Sequence, residues 1–186
     1  DTWVSISGNR SNGVPFFGRR AVRNIVVSGL KSAIDTSEEI REDARFFNLM
    51  AAPGYPELIQ NMVALNTARR ETAFIIGDLP MGLSSDSTTL ENYIINAKGE
   101  VIDSEYGLVS PNTFVGVYYP SAGLTNDTTG TTVAVPSSHA VLRVFVKNDT
   151  KAYPWFAPAG EQRGTIDNLT SIGYINRATG TFVPVG

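Results

Sequence analysis

Apolar residues along the chain recur with two different periods. From Arg19 to Ile34 they fall at Val22, Ile25, Val26, Leu30 and Ala33, the three-and-four spacing that gathers side chains on one face of a helix. That stretch predicts a helix with this face buried, and the polar run Asp35 to Asp43 predicts a solvated turn or helix end. Arg45 to Ala51 is short, apolar and closed by Pro53-Gly54, which predicts a buried strand. Pro56 suits a first helical position with Glu57 beside it, and Leu58, Ile59, Met62, Val63 and Leu65 form one stripe. Arg69 and Arg70 would then complement the dipole at the helix end. Thr72 to Gly77 predicts a second buried strand. A third helix is expected to start near Ser87, with Leu90, Tyr93, Ile94 and Ala97 inward and Gly99 past its end. Thr113 to Tyr119 predicts a strand that Pro120 stops.

This alternation of helices and strands points to an α/β layered domain whose sheet is mainly parallel or mixed and flanked by helices. Residues 1–18 are expected to form an irregular or hairpin segment, and Gly123 to Thr132, rich in Thr, Gly, Asn and Asp, an exposed loop. After Pro136 two readings stand. Ser137 can cap a helix carrying Ala140, Val141, Val144 and Phe145, while Leu142, Val144 and Val146 alternate with Arg143 and Lys147 as in a strand. Intrinsic preference leans to the strand, because most of these residues are β-branched or aromatic. From Thr165 the tail offers Ile166, Leu169 and Ile172 as a last short helix, followed by a turn at Ala178-Thr179-Gly180. No internal repeat stands out.

Composition narrows the chemistry. A chain of 186 residues buries about 70% of its unfolded surface, so its core needs no metal or disulfide. With no cysteine and a single histidine, a closed zinc shell lacks ligands and thiol chemistry is excluded. A net charge of −3 argues against a nucleic-acid clamp. No apolar run approaches the roughly 20 residues needed to cross a bilayer, so neither nucleic acid nor membrane insertion is expected. The charge is uneven: from Asp78 to Asp127 there are seven acidic residues and only Lys98 basic, against 14 basic and 11 acidic elsewhere. Surfaces of unlike charge on one molecule suit head-to-tail association, although an ordinary solvated surface explains the same layout.

Catalytic signatures are sparse. A G-x-S-x-G elbow, a phosphate-binding loop, a dinucleotide fingerprint and an H-E-x-x-H helix are all missing from the sequence. A Ser-His-Asp set would have to use His139 with Ser137 or Ser138 and with Asp78 or Asp103; Asp78, after a strand, stands where an α/β site places an acid. An aspartate there equally caps the next turn. Asp103 and Glu105 would share one face of a strand, as paired carboxylates or as solvated acids. Asn9, Asn126, Asn148 and Asn168 head N-x-[ST] sequons, matches that 13 asparagines produce by chance. No catalytic, cofactor-binding or metal-ligating residue is assigned.

The C-terminal third carries the more specific pattern. Val135-Pro136-Ser137-Ser138-His139-Ala140, then Asp149, then Trp155-Phe156-Ala157-Pro158-Ala159-Gly160 and Arg163-Gly164 resemble the signature of contractile bacteriophage tail sheath proteins. Upstream, Ala51-Ala52-Pro53-Gly54-Tyr55 is similar to that family's A-P-G-[YF] turn, Phe74 to Pro80 to its strand and D-x-P turn, and Tyr118-Tyr119-Pro120 to its tyrosine-proline strand end. The agreement runs in order over residues 44–164 and is weaker in Gly123 to Thr132 and beyond Gly164.

The resemblance implies that residues 137–147 are helical, against the strand leaning, and that the fold is subtilisin-like in shape without protease activity. It implies a single sheath-type α/β domain over 1–186, cut from a longer chain, whose signature residues serve structure and assembly: Pro53, Gly54, Tyr119, Pro120, Pro136, His139, Asp149, Trp155, Ala157, Pro158, Ala159, Gly160, Arg163 and Gly164. Trp155 would bury its ring in a rigid corner or meet a neighbouring subunit, and Gly160 would permit the turn. The implied partners are other sheath subunits in a helical array, the tail tube, the baseplate and the tail terminator. The implied location is the virion tail, after assembly in the host cytoplasm. No cofactor is implied, and the isolated segment is expected to be monomeric. Two other classes stay open, a surface-binding adhesin module and a serine hydrolase.

Overall fold

The structure, a computed structural model, describes residues 17–42, 44–109, 112–153 and 155–185. The expected N-terminal irregular or hairpin segment therefore lies, up to residue 16, outside the described residues. The elements are α1 (Phe17–Thr36), β1 (Leu49–Ala51), a 3-10 turn (Pro56–Leu58) continuing into α2 (Ile59–Ala68), β2 (Phe74–Asp78), α3 (Ser87–Ile94), β3 (Val115–Tyr118), β4 (Ser121–Thr125), β5 (Thr132–Val135), α4 (Ser137–Lys151), the single-turn α5 (Gly160–Arg163), β6 (Leu169–Ile175) and β7 (Phe182–Pro184). The class is α/β, with two sheets. One is parallel in the order β1-β2-β3, the other antiparallel in the order β5-β4-β6-β7.

β2 is the centre of the parallel sheet, and its sequence explains why. Ile75 and Ile76 point to opposite faces and both are fully buried, as a parallel strand covered by helices on each side requires. Ile75 packs with Met50, Leu58, Ile59, Met62 and Leu65 under α2. The alternate positions Phe74, Ile76 and Asp78 face α4, where Phe74 stacks on Phe145 at 6.0 Å between ring centres. The stripe predicted for α2 is the one observed, and Asp86 caps α3 by accepting from the Thr89 N–H at 3.0 Å. The helix after Pro136 is also as the family resemblance implied, with Ala140 and Val144 buried.

Several expectations are corrected. α1 forms where predicted but turns a different face inward. Val27 is buried while Leu30 and Ile34 pack on the core, and Val22, Ile25 and Val26 are exposed, Ile25 at 72%. Apolar residues occupy more than one side of this helix, so spacing identifies the helix and not its buried side. In α3 only Tyr93 is buried; Ile94 and Ala97 face solvent. The first strand is three residues long, and Phe46 stays 84% exposed. Arg69 does not serve its helix end. Its guanidinium is buried and donates to the carbonyls of Ile40, Glu42 and Arg45 at 2.7–2.9 Å.

The largest corrections concern the second sheet. Gly123 to Thr132 is not one loop but most of the β4–β5 hairpin, and the tail from Leu169 is strand rather than helix. Threonine and Ile172, Tyr174 and Ile175 are strand formers, and the three-residue spacing of Ile166, Leu169 and Ile172 was coincidental. The two hairpin loops repeat one motif, N-x-x-T-G-T, at 126–131 and 176–181. In each, the asparagine accepts from backbone two residues on (Asn126 from Thr128, Asn176 from Ala178, both 2.9 Å), the glycine has positive φ, and the two threonine hydroxyls meet. The turn expected at Ala178-Thr179-Gly180 is the second of these loops, and the duplicated motif is a short internal repeat, against the expectation of none.

Candidate functional site

The carboxyl end of the parallel sheet gathers four of the sequence motifs around one buried side chain, Asp78, the last residue of β2 and 2% exposed. Its Oδ2 accepts from the Gly54 N–H at 2.8 Å and from the Ser138 hydroxyl at 2.6 Å. Its Oδ1 accepts from the Ser138 N–H at 2.6 Å and from the Ser137 hydroxyl at 2.9 Å. The Ser137 proton is shared with the Tyr118 carbonyl at 2.7 Å, which ties in the end of β3. Four donors satisfy a buried carboxylate that would otherwise be costly. The α4 N-terminus, where backbone N–H groups lack helical partners, adds a favourable dipole.

Gly54 is held from both sides. Its N–H goes to Asp78, and its carbonyl accepts from Arg23 of α1 at 3.0 Å. Arg23 also grips Glu57, which is 3% exposed, through Nε at 2.7 Å and Nη2 at 2.9 Å, and its guanidinium lies 5.1 Å from the centre of the Tyr55 ring. Burial alone would lower the Arg23 pKa, but the hydrogen bond and charge of Glu57, together with the charges of Glu105 and Tyr55, leave the group raised. Gly54 takes φ +81°, and a Cβ there would stand 3.2 Å from Pro136 Cγ, so glycine serves both the turn and the close approach. Tyr119, joined to Pro120 by a cis peptide bond, donates its hydroxyl to the Leu83 carbonyl at 3.0 Å.

The remaining signature residues do not join this node. His139 is exposed on the outward face of α4 and lines a groove there with Arg143, Lys147 and Asp167. The hydroxyls of Ser137 and Ser138 donate to Asp78, so the Ser-His-Asp set is not assembled: acid and serines meet, the imidazole stands outside. Asp103 is paired with Lys31 at 3.2 Å and turns back to the Glu105 N–H at 3.0 Å, in a turn and not on a strand face. Among the described residues no group of three or more His, Asp or Glu is placed to hold a metal ion.

Asp149 is exposed in the last turn of α4, and the segment after the helix is organised by a residue the sequence reading treated only as a sequon. Asn148 is buried and donates to the Phe156 carbonyl at 2.9 Å, with Oδ1 buried and unpartnered, so this sequon is covered. Arg163 closes the turn from the other side, donating to the Ala157 carbonyl at 3.2 Å and stacking over Phe156 at 4.8 Å. Ala159 donates to Ala157, Gly164 to Gly160, and Gly160 takes the expected left-handed φ of +76°. The expectation of a buried Trp155 fails. Its ring is 75% exposed and stacks flat on Tyr153 at 4.8 Å, because the turn buries Asn148 and leaves the aromatic rings outside.

Asp167 faces the α4 groove, with Lys147 Nζ 2.9 Å from both of its oxygens. The Lys147 hydrogen bond, helped by the charges of Lys147, Arg143 and Lys151, holds its carboxyl below the usual range. A lowered folded pKa means the contact contributes above the unfolded value and is lost as pH falls through the folded one. An NMR titration should place the Asp167 midpoint below ordinary aspartates, and Lys147→Ala should raise it; a midpoint insensitive to that substitution contradicts the pairing.

Residues from four separate motifs thus meet at Asp78, while the α4 face and the aromatic turn form a second, outward-facing region. No protein-family model matches the chain, and no curated protein does.

Proposed function

We propose that the chain is a structural subunit of a contractile phage tail sheath, one that polymerises helically around a tail tube and contracts to drive the tube through a host envelope. The observation that carries this reading is the ordered succession of turn motifs, Pro53-Gly54, Asp78 to Pro80, Tyr118-Tyr119-Pro120 and Pro136 to Ser138, which are joined at one node: Gly54, Ser137 and Ser138 bond the Asp78 carboxylate, and Ser137 ties in the Tyr118 carbonyl. A subunit that moves as a rigid body between two packings needs such a lock. A hydrolase needs free hydroxyls beside an imidazole, and here the hydroxyls donate to Asp78 and His139 faces away. The partners in this reading are further sheath subunits, the tube, the baseplate and the terminator, and the location is the virion tail.

Trp155 provides the test. Because its ring is 75% exposed, Trp155→Ala should change the stability of the 186-residue chain by less than about 0.5 kcal/mol. In the protein at its full natural length, the same substitution should reduce assembly into tubes seen by electron microscopy. Undiminished tubes would remove Trp155 from the subunit contacts, and labelling of Ser137 or Ser138 by an active-site serine reagent would replace the structural reading with a hydrolase.

A further inference from the structure

Two outward surfaces of the molecule match one another in chemistry. On α4, His139, Arg143, Lys147 and Lys151 recur every four residues, which sets them in one row along the helix. Leu142 and Val146 run beside that row, and the groove they line has a volume of roughly 640 Å³. Asp167 supplies one carboxylate to the groove, so its charge stays positive. The second surface is at the end of α3. Glu91, Ile94 and Ile95 share one helix face, and the following turn, pinned by Asn96 bonding both backbone groups of Glu100, presents Val101 and Ile102. Ile94, Ile95, Val101 and Ile102 are all more than half exposed, a concentration of apolar surface that usually marks a contact site.

The two surfaces stand on opposite sides of the parallel sheet. α4 covers the Phe74 and Ile76 side, whereas the segment after α3 is fastened to the other layer through Lys31–Asp103 and through Gln60 Nε2 to the Val109 carbonyl at 2.7 Å. They therefore cannot meet within one molecule. An apolar strip flanked by cations lies on one side; the strip on the other carries Glu91 and Glu100 against one cation, Lys98, whose ammonium lies over the Tyr106 ring at 5.1 Å.

We propose that the α4 groove is the docking site for the α3-end surface, Glu91 to Ile102, of a second copy of this chain. The contact is heterologous, so it leaves a free surface of each kind at either end and propagates instead of closing. Cations on α4 meet Glu91 and Glu100 of the neighbour, while Leu142 and Val146 meet its isoleucines. The inference rests on the reading of the chain as an assembling subunit, and it adds which surfaces join.

The test uses the 186-residue chain and two charge-reversed variants, Arg143→Glu/Lys151→Glu and Glu91→Lys/Glu100→Lys, with folding checked by circular dichroism. Sedimentation velocity over a concentration series at low salt should show weak self-association of the unmodified chain, in place of the monomer that the family resemblance implies. Each variant alone places like charges in the contact and should associate at least about tenfold more weakly. An equimolar mixture of the two should recover association, because acidic grooves then meet basic α3 ends and the reverse. Should either variant unfold, the neutral pair Arg143→Gln/Lys151→Gln is expected to weaken association and to lose its salt dependence. Variants that associate like the unmodified chain, a mixture that recovers nothing, or an unmodified chain that stays monomeric at every concentration would each overturn this contact. The sheath reading fails separately, through absence of tubes from the protein at its full natural length.

Discussion

Replacing Asp78 with Ala is expected to cost about 3–5 kcal/mol of unfolding free energy, a large share of the roughly 5–15 kcal/mol available to a domain. The substitution strands four donors at once. The N–H groups of Gly54 and Ser138 and the hydroxyls of Ser137 and Ser138 lose their acceptor in a place that is 2% exposed. Only the Ser137 hydroxyl has a second acceptor, the Tyr118 carbonyl. Asp78→Asn separates shape from charge. Its amide oxygen can keep the bonds from the Ser137 hydroxyl and the Ser138 N–H, and the Ser138 hydroxyl can turn to accept from the new amide, but the Gly54 N–H then faces a donor. The cost should fall to about 1–3 kcal/mol, that of one unsatisfied buried group. Chemical denaturation of the three proteins checks the order. If Asp78→Ala unfolds at the same denaturant concentration as the parent, the carboxylate is not the lock described here.

Arg23→Ala should cost about 2–4 kcal/mol and act through a different residue. The substitution leaves Glu57, 3% exposed, without its bidentate partner, and an uncompensated buried charge is the expensive half of a broken pair. The lower end of that range reflects Arg23 itself, whose side chain is 43% exposed and reached by water. The loss should be concentrated in α1. Among its described side chains only Val27 is fully buried, so hydrogen exchange in α1 should accelerate more than in β2. Adding Glu57→Gln to Arg23→Ala should recover part of the loss by removing the stranded charge. A double variant as unstable as the sum of the two singles would mean that the two side chains act independently.

How much of this was legible in the sequence depended on which kind of signal a residue carries. The α2 stripe, the β2 run and the start of α3 near Ser87 declare themselves through spacing and local chemistry, so the parallel half of the fold is legible. The face of α1 is only partly legible: Leu30 of the predicted stripe packs on the core, but Val22, Ile25 and Val26 share its periodicity and stay exposed, and tertiary contacts bury Val27 and draw in Ile34. Sheet pairing between β4 and β6 joins residues more than 40 positions apart, and threonine-rich strands look like loops to any composition argument. At the node, Pro53-Gly54, Asp78 and Ser137-Ser138 were each visible as motifs. Their convergence was not, since it is made by the register of β2 and β3 and by the start of α4. Arg23 and Asn148 gave no signal beyond a charge on a helix and a chance sequon. The N-x-x-T-G-T repeat was in plain view and went unread.

Whether the protein is a tail sheath subunit is tested most directly by electron microscopy of the protein at its full natural length, expressed alone and concentrated at neutral pH. Hollow, striated tubes with a regular helical repeat are expected. Dispersed monomers at every concentration, with no tube or filament, would contradict the sheath reading.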